Sequence, residues 1–164
     1  MRSASVSTLA LTIILLAGCA PVTVQTYQGP ARDHSQIAVL KGISAESPGT
    51  GRHYYVFFVS YAEFQPGIKP TFNKVGDAFT GYPRELTMLP GRYLVMTRCA
   101  TGNQYAFPAL RLAVAAGEVY EVKCEPVPDR LSQVRVLARR VGGAQGAREP
   151  ASNEKLDDLM PLLK

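Results

Sequence analysis

Residues 54–61 have the sequence YYVFFVSY, a run of aromatic and β-branched residues that favours a β-strand. The run is apolar on both faces of a strand, because successive side chains point to opposite sides. We expect one parity to face the core: Tyr55, Phe57, Val59 and Tyr61. The other parity, Tyr54, Val56 and Phe58, then needs a second cover, either another segment of the chain or a partner protein or glycan that stacks on exposed tyrosines. Tyr54 and Phe58 are therefore candidate partner-binding residues.

Short apolar runs of this kind recur along the chain and are separated by Gly and Pro. The predicted strands are 37–43, 54–61, 84–89, 92–99, 107–114, 118–125 and 131–141. Seven strands in about 105 residues of a 164-residue chain predict one all-β domain. The expected architecture is a small antiparallel β-sandwich of about seven strands, and a small barrel is the alternative.

Turn motifs in the domain carry a family resemblance. They are Tyr27-Gln28-Gly29-Pro30, Leu89-Pro90-Gly91-Arg92-Tyr93 and Ala116-Gly117-Glu118-Val119-Tyr120. In these motifs the chain resembles bacterial envelope lipoproteins and small β-sandwich modules of the PEGA or transthyretin-like kind. The resemblance covers about residues 27–125. It implies a fold and says little about activity, since the motifs are structural turns. The chain departs from such modules at 62–83, where a long connection with Pro and Gly replaces a short hairpin.

The N-terminus predicts export and lipid anchoring. An apolar run at 9–16 follows Arg2 and leads into the tetrapeptide Leu16-Ala17-Gly18-Cys19. This tetrapeptide resembles the lipobox of bacterial lipoproteins, which implies removal of residues 1–18 and acylation of Cys19. Multiple acyl chains would anchor the protein stably, whereas the apolar run is too short to span a membrane.

The resemblance also implies the outer membrane, because Ala20 replaces the Asp that commonly retains lipoproteins at the inner membrane. The domain would then face the periplasm. The alternative is an ordinary secretory peptide cleaved near Ala20.

Composition divides the chain into five segments. They are a lipoprotein signal peptide at 1–18, a tether at 19–36, the β-sandwich domain at 37–141, a flexible linker at 142–152 and an amphipathic helix at 153–164. The helix has an apolar stripe at helical spacing, formed by Leu156, Leu159, Met160 and Leu163. We expect this stripe to dock on Tyr54, Val56 and Phe58, and the alternative is a free arm that reaches a partner.

The cysteines constrain how the strands are arranged. With Cys19 acylated, Cys99 and Cys124 form an even pair in an oxidising compartment, so a disulfide is expected. Strand parity points both side chains inward. Two strands separated by a third in one sheet would lie too far apart for the bond, so the strands are either direct neighbours or in opposed sheets. The alternative is two buried free thiols.

Residues for catalysis or metal binding are sparse. His34 and His53 lack the spacing of a metal site, so no metal and no cofactor are expected. Ser60, His53 and Asp77 are candidates for a triad, but no nucleophile-elbow sequence surrounds any serine. We therefore expect a protein that is not an enzyme. The rival functions are a cell-wall-active hydrolase or transferase, and a lipoprotein subunit of a secretion or conjugation apparatus.

Charge gives one further candidate site. Five arginines and no acidic residue occur between Arg130 and Arg148. Strand parity places Arg135 and Arg139 on one face, where they are candidate anion-binding residues for lipopolysaccharide, anionic lipid or peptidoglycan. The alternative is a solvated edge strand protected from aggregation by charge. Nucleic acid is not an expected partner, because no aromatic residues interleave with these arginines. The sequence thus predicts a binding or scaffolding protein of the envelope, with a membrane, an envelope protein, peptidoglycan or lipopolysaccharide as partner.

Overall fold

A computed structural model describes residues 22–46, 51–127 and 130–143. The predicted signal peptide, Cys19 and the predicted helix at 153–164 lie outside these residues, and the predictions made for them stay predictions. In the part of the chain that is described, no helix is long and apolar enough to cross a membrane.

The described residues form eleven β-strands and a short 3-10 helix, His34–Gln36. The strands are β1 Thr23–Gln25, β2 Ala38–Gly42, β3 Ala45–Glu46, β4 His53–Glu63, β5 Asn73–Lys74, β6 Glu85–Met88, β7 Gly91–Thr101, β8 Gln104–Ala106, β9 Ala109–Val114, β10 Val119–Val127 and β11 Arg130–Gly142. Each of the seven predicted strands overlaps one of these. The all-β class is confirmed, and the four additional strands are short.

Two sheets enclose the core, which confirms the sandwich architecture. Sheet 1 has the order β1-β6-β2-β10-β11. Sheet 2 has the order β3-β4-β7-β8, with β5 paired to β4 and β9 paired to β7. The chain crosses between the sheets after β2, β5, β6 and β9. Gly42 makes the first crossing close, since a Cβ at this position would lie 2.6 Å from the Val56 carbonyl oxygen.

The pairing is not wholly antiparallel. The pairs β1–β6 and β2–β10 are parallel, whereas β2–β6, β10–β11, β4–β7 and β7–β9 are antiparallel. A parallel pair needs a crossover connection, and here the excursions of the chain through sheet 2 supply it between β2 and β10. The expectation of a purely antiparallel sandwich is therefore wrong in these two pairs.

Strand β4 faces the core with the parity opposite to the expected one. Tyr54, Val56 and Phe58 are 3%, 0% and 0% exposed, and Tyr55 is 43% exposed. A β-bulge between Phe58 and Ser60 then reverses the alternation. Beyond it Tyr61 packs against the core.

Sheet 1 covers the residues for which the sequence suggested a helix or a partner. Tyr54, Val56 and Phe58 belong to the same buried cluster as Leu40, Leu86 and Val122 of sheet 1. Docking of the C-terminal helix on this face is therefore wrong. Tyr54 and Phe58 are core residues that no partner reaches.

A disulfide joins the two sheets. Cys99 lies in β7 of sheet 2 and Cys124 in β10 of sheet 1, with their Cα atoms 5.9 Å apart. Both residues are buried. The predicted pairing is confirmed, and of the two arrangements left open the opposed sheets are the one observed.

The fold begins inside the segment predicted as a tether. Thr23 pairs with Glu85 and Gln25 with Thr87 in the parallel β1–β6 ladder. The backbone amide of Thr26 extends the pairing by donating to the Thr87 carbonyl, at 3.0 Å. Backbone hydrogen bonds to β6 define this edge strand, and its one apolar side chain, Val24, packs against the core. Three residues are too few for an alternating pattern to predict a strand.

Candidate binding face

The outer face of sheet 1 is charge-compensated. Arg139 donates to Glu121 at 2.9 Å, and the Arg135 Nε donates to Glu125 at 2.9 Å. These residues are direct cross-strand partners in the β10–β11 ladder. Burial opposes ionisation of Glu125, but hydrogen bonds from Arg135 and Lys123 outweigh this effect and hold its pKa below the usual value. The carboxylate therefore stays charged at neutral pH.

These pairs change the interpretation of the arginine-rich segment. Arg135 and Arg139 are engaged with carboxylates, so their assignment as an anion-binding pair is corrected to cross-strand ion pairs. They belong to β11, one of the two edge strands of sheet 1. This position matches the alternative of an edge strand protected by charge.

The outer face of sheet 2 has cations of a different kind. Arg98 of β7 lies directly opposite Phe57 of β4 in the ladder. Its guanidinium carbon is 5.9 Å from the centroid of the Phe57 ring, 5.3 Å from that of Tyr82 and 5.1 Å from that of Tyr105. Three rings from three segments of the chain thus surround one guanidinium.

A second cluster lies further along the same face. The Arg111 guanidinium carbon is 4.4 Å from the centroid of the Phe64 ring, and that of Arg92 is 5.7 Å from the same centroid. The amide of Phe64 donates to the Arg92 carbonyl at 2.7 Å and so fixes the start of the loop that carries the ring. Two cations therefore lie close to one aromatic ring. Each such cation–π contact is worth about 0.5–1 kcal/mol at an exposed site.

We call this surface the arginine–aromatic face. It comprises Phe57, Phe64, Tyr82, Arg92, Arg98, Tyr105 and Arg111. Among the described residues, none of its three arginine side chains forms an ion pair or a hydrogen bond. Aromatic rings position these guanidinium groups while their N–H donors stay available to a ligand. This is the main contrast with sheet 1, where Glu121 and Glu125 take up the donors of Arg139 and Arg135.

Exposed aromatic side chains surround this face. Tyr105 is 62% exposed and Phe107 is 46% exposed, and their rings meet edge to face at 5.5 Å between centroids. Tyr55 lies in the same row as Tyr105, because both pair with Ala100. Large apolar surface exposed next to uncompensated positive charge is typical of an interaction site.

A turn beside Tyr82 holds a fully exposed phenylalanine. Asp77 accepts hydrogen bonds from the amides of Phe79 and Thr80 at 2.8 and 2.7 Å, and it also pairs with Lys74. The hydrogen bond from Lys74, followed by those from Thr80 and Phe79, holds the pKa of Asp77 far below its usual value. The ring of Phe79 is 99% exposed at the tip of this well-defined turn.

A groove of about 620 Å³ lies where Thr26 and Tyr27 meet the 63–73 loop. Its floor includes Tyr61 and Tyr93, whose pKa values are raised by burial and by the charge of Glu63. The hydroxyl of Tyr93 donates to the Leu89 carbonyl at 3.0 Å. The two rings thus serve the fold, and the groove presents the carboxylate of Glu63 and the ammonium of Lys69 together with neutral polar groups.

The residues considered for catalysis are not brought together. Ser60 and His53 lie in the same extended strand, seven residues and roughly 23 Å apart. The carboxylate of Asp77 is occupied by its own turn. Within the described residues, no group of three or more His, Cys, Asp or Glu side chains is placed to hold a metal ion.

Comparisons with protein families, with curated proteins and with solved structures find no match to this chain. Its function is therefore inferred from its own residues.

Sequence analysis missed Arg92, Arg98 and Arg111, although a signal existed. In strand 92–99 the inward parity fixed by Cys99 leaves Arg92 and Arg98 on the outer side, and no acidic residue occurs between Glu85 and Glu118 to neutralise them.

Proposed function

We propose that this chain is a lipid-anchored envelope protein with a non-catalytic binding or scaffolding role at the periplasmic face of the outer membrane. The anchoring part is supported by the apolar N-terminal run and by the lipobox-like tetrapeptide ending at Cys19. The disulfide between Cys99 and Cys124 suits an oxidising compartment. The resemblance of the turn motifs to envelope lipoproteins is in keeping with both.

One observation carries the binding role. Three guanidinium groups lie on one outer face of the sandwich without a carboxylate partner among the described residues, and aromatic rings surround them. Cation–π contacts with Phe64 hold Arg92 and Arg111 in place, and with no carboxylate partner among the described residues their positive charges stay available to an anionic ligand. A binding role explains this arrangement better than catalysis does, because the feature is an extended surface rather than a set of converging reactive groups.

Metabolic labelling with an alkyne fatty acid tests the anchoring part. The wild-type chain should incorporate the label and fractionate with outer membranes, whereas Cys19→Ala should remain an unlabelled precursor. Cys99→Ala controls for label on other cysteines, and it should keep full incorporation per molecule once the label is normalised to the amount of protein recovered. Equal incorporation in the wild type and in Cys19→Ala would refute the anchor.

Site-specific photo-cross-linking in intact cells tests the binding role. A photoreactive amino acid at Tyr105 samples the arginine–aromatic face, and one at Lys123 samples the charge-compensated face of sheet 1. Binding through sheet 2 predicts adducts at Tyr105 in clear excess over Lys123. Equal yields at both positions, or no adduct at Tyr105, would contradict the proposed binding role.

A further inference from the structure

The distance between the predicted anchor and the folded domain is short. Thr23 is already held in sheet 1, where its hydroxyl donates to Glu85 at 3.0 Å. Only four Cα–Cα steps separate it from Cys19, and four steps span at most about 14 Å. On the proposed function, on which this inference rests, the sandwich is therefore held against the bilayer rather than on a long tether.

A domain held this closely presents one of its surfaces to lipid headgroups. The two sheets of a sandwich lie about 10 Å apart, so an extended connection of up to about 14 Å from the edge of sheet 1 reaches past the backbone of sheet 2 toward its outer side chains. The outer face of sheet 1 offers ion pairs that are already satisfied, such as Glu121–Arg139. The arginine–aromatic face instead offers cations with free N–H donors.

Phosphate is the group that fits this face. A guanidinium binds a phosphate through two parallel hydrogen bonds, and phosphate bound at Arg92 and Arg111 would offset their positive charges. Tyrosine side chains favour the boundary between headgroups and acyl chains, where Tyr105 would lie. A negatively charged bilayer surface thus complements both the charge and the exposed aromatic area.

We propose that the arginine–aromatic face docks on phosphate headgroups of the bilayer to which Cys19 is attached. Arg92, Arg98 and Arg111 bind the phosphates, and the exposed rings of Tyr105 and Phe107 enter the headgroup region. Each arginine strengthens binding to an anionic surface by roughly fivefold. In the anchored protein this attraction gains further from the short connection, which keeps the face at a high effective concentration near the lipid.

The C-terminal segment of the chain fits the arginine–aromatic face less well than a bilayer does. Its acidic residues are Glu154, Asp157 and Asp158, and on the predicted helix they lie opposite the leucine stripe. The segment therefore cannot present its apolar stripe to the rings and its carboxylates to the arginines at the same time. It remains an outcome that the experiment distinguishes.

Vesicle co-flotation tests the proposal with the processed chain, residues 19–164, carrying Cys19→Ser so that no acyl chain contributes. Vesicles of phosphatidylglycerol and phosphatidylethanolamine are compared with vesicles of phosphatidylcholine, at low salt and at 0.5 M NaCl. The wild-type face should bind the anionic vesicles, lose this binding in high salt and bind phosphatidylcholine weakly or not at all. Arg98→Gln and Arg111→Gln should each lower the partition coefficient about fivefold, and together about 25-fold.

Arg139→Gln is the matched control. It removes the same charge from the opposite face, where the guanidinium is already paired with Glu121, and it should change the partition coefficient less than twofold. An equal loss in Arg98→Gln and Arg139→Gln would show that net charge and not this face drives binding. The intact disulfide and an unchanged thermal melt establish that each variant is folded.

Other outcomes overturn the proposal. No binding of the Cys19→Ser chain to anionic vesicles, with photo-cross-links from Tyr105 to a protein in cells, would replace the bilayer by an acidic protein partner. Vesicle binding that occurs only after truncation behind Gly146 would identify the C-terminal segment as the occupant. Failure of the proposed anchor can be distinguished from failure of the docking proposal, because fatty-acid labelling reports on Cys19 and the vesicle assay contains no acyl chain.

Discussion

The inter-sheet disulfide makes a quantitative prediction about stability. Replacing both Cys99 and Cys124 by Ala opens a cross-link of sequence separation 25. Loss of this constraint on the unfolded chain lowers the free energy of unfolding by about 3.5 kcal/mol on the chain-entropy argument. Removing two buried sulfur atoms leaves small cavities that add roughly 0.5–1 kcal/mol each. We therefore expect a total loss of about 5 kcal/mol.

Urea unfolding and thermal melts of the wild type and the double variant measure this loss. For a domain of this size, 5 kcal/mol corresponds to a decrease in Tm of roughly 15–25 °C. The double variant should also show a larger m-value, because its unfolded chain exposes more surface once the cross-link is absent. The larger m-value separates an effect on the unfolded state from a simple loss of packing in the core.

Cys19→Ser is the control, since it removes a cysteine that lies outside the sandwich and should leave both quantities unchanged. A loss below about 2 kcal/mol in the double variant would contradict the entropic reasoning. If Cys99 and Cys124 were alkylated in the native protein without prior reduction, the bond itself would be refuted.

Three further predictions concern the core, an ion pair and the C-terminus. Phe58→Ala should lower the free energy of unfolding by about 3–5 kcal/mol, because Phe58 is fully buried. Tyr55→Ala, on the outer side of the strand, should lower it by less than about 1 kcal/mol. Similar urea midpoints for the two variants would contradict the observed parity of β4. Burial opposes ionisation of Glu118, but hydrogen bonds from Arg140 and from the Ala115 amide outweigh this effect and lower the Glu118 pKa. The ionised carboxylate therefore stabilises the fold above its unfolded pKa near 4.5, and this contribution is lost as the pH falls through the lower folded pKa. Glu118→Gln should therefore flatten the acid limb of a stability-versus-pH profile, and an unchanged limb would show that Glu118 is not coupled to folding. Truncation after Gly146 should shift the Tm by less than about 2 °C, because sheet 1 already covers Tyr54, Val56 and Phe58. A large decrease measured by calorimetry would instead show that the removed segment packs on the domain.

The strand positions could be predicted from the sequence because the signal is local. The run at 92–99 places Tyr93, Val95, Thr97 and Cys99 on one parity and its two arginines on the other, and this alternation has the period of a strand. The same parity placed Cys99 and Cys124 on inward faces, so their pairing followed from two local patterns and the geometry of a disulfide. Short β1 gave no such signal, because three residues are too few for an alternation to be recognised, although Val24 packs against the core.

The candidate site was harder to predict because charge compensation depends on neighbours across the sheet. Arg135 and Arg98 are equivalent in sequence, each alternating with apolar residues in a strand. The register of β10 places Glu125 opposite Arg135, and the register of β4 places Phe57 opposite Arg98. One arginine is thereby neutralised and the other is left on aromatic rings, a difference that no local pattern contains.

The sequence by itself determined the β class, the seven longer strands and the inward direction of the two cysteines, because these depend on contacts between residues close in the chain. Tertiary structure alone decided which face of β4 is buried, since both faces of residues 54–61 are apolar and only the approach of sheet 1 selects Tyr54, Val56 and Phe58. It also decided the parallel pairing of β2 with β10 and the isolation of Arg92, Arg98 and Arg111 from carboxylates. The physical reason is the same in each case. Strand alternation fixes which residues share a side, but the side that meets the core and the partner across the ladder are set by segments distant in sequence.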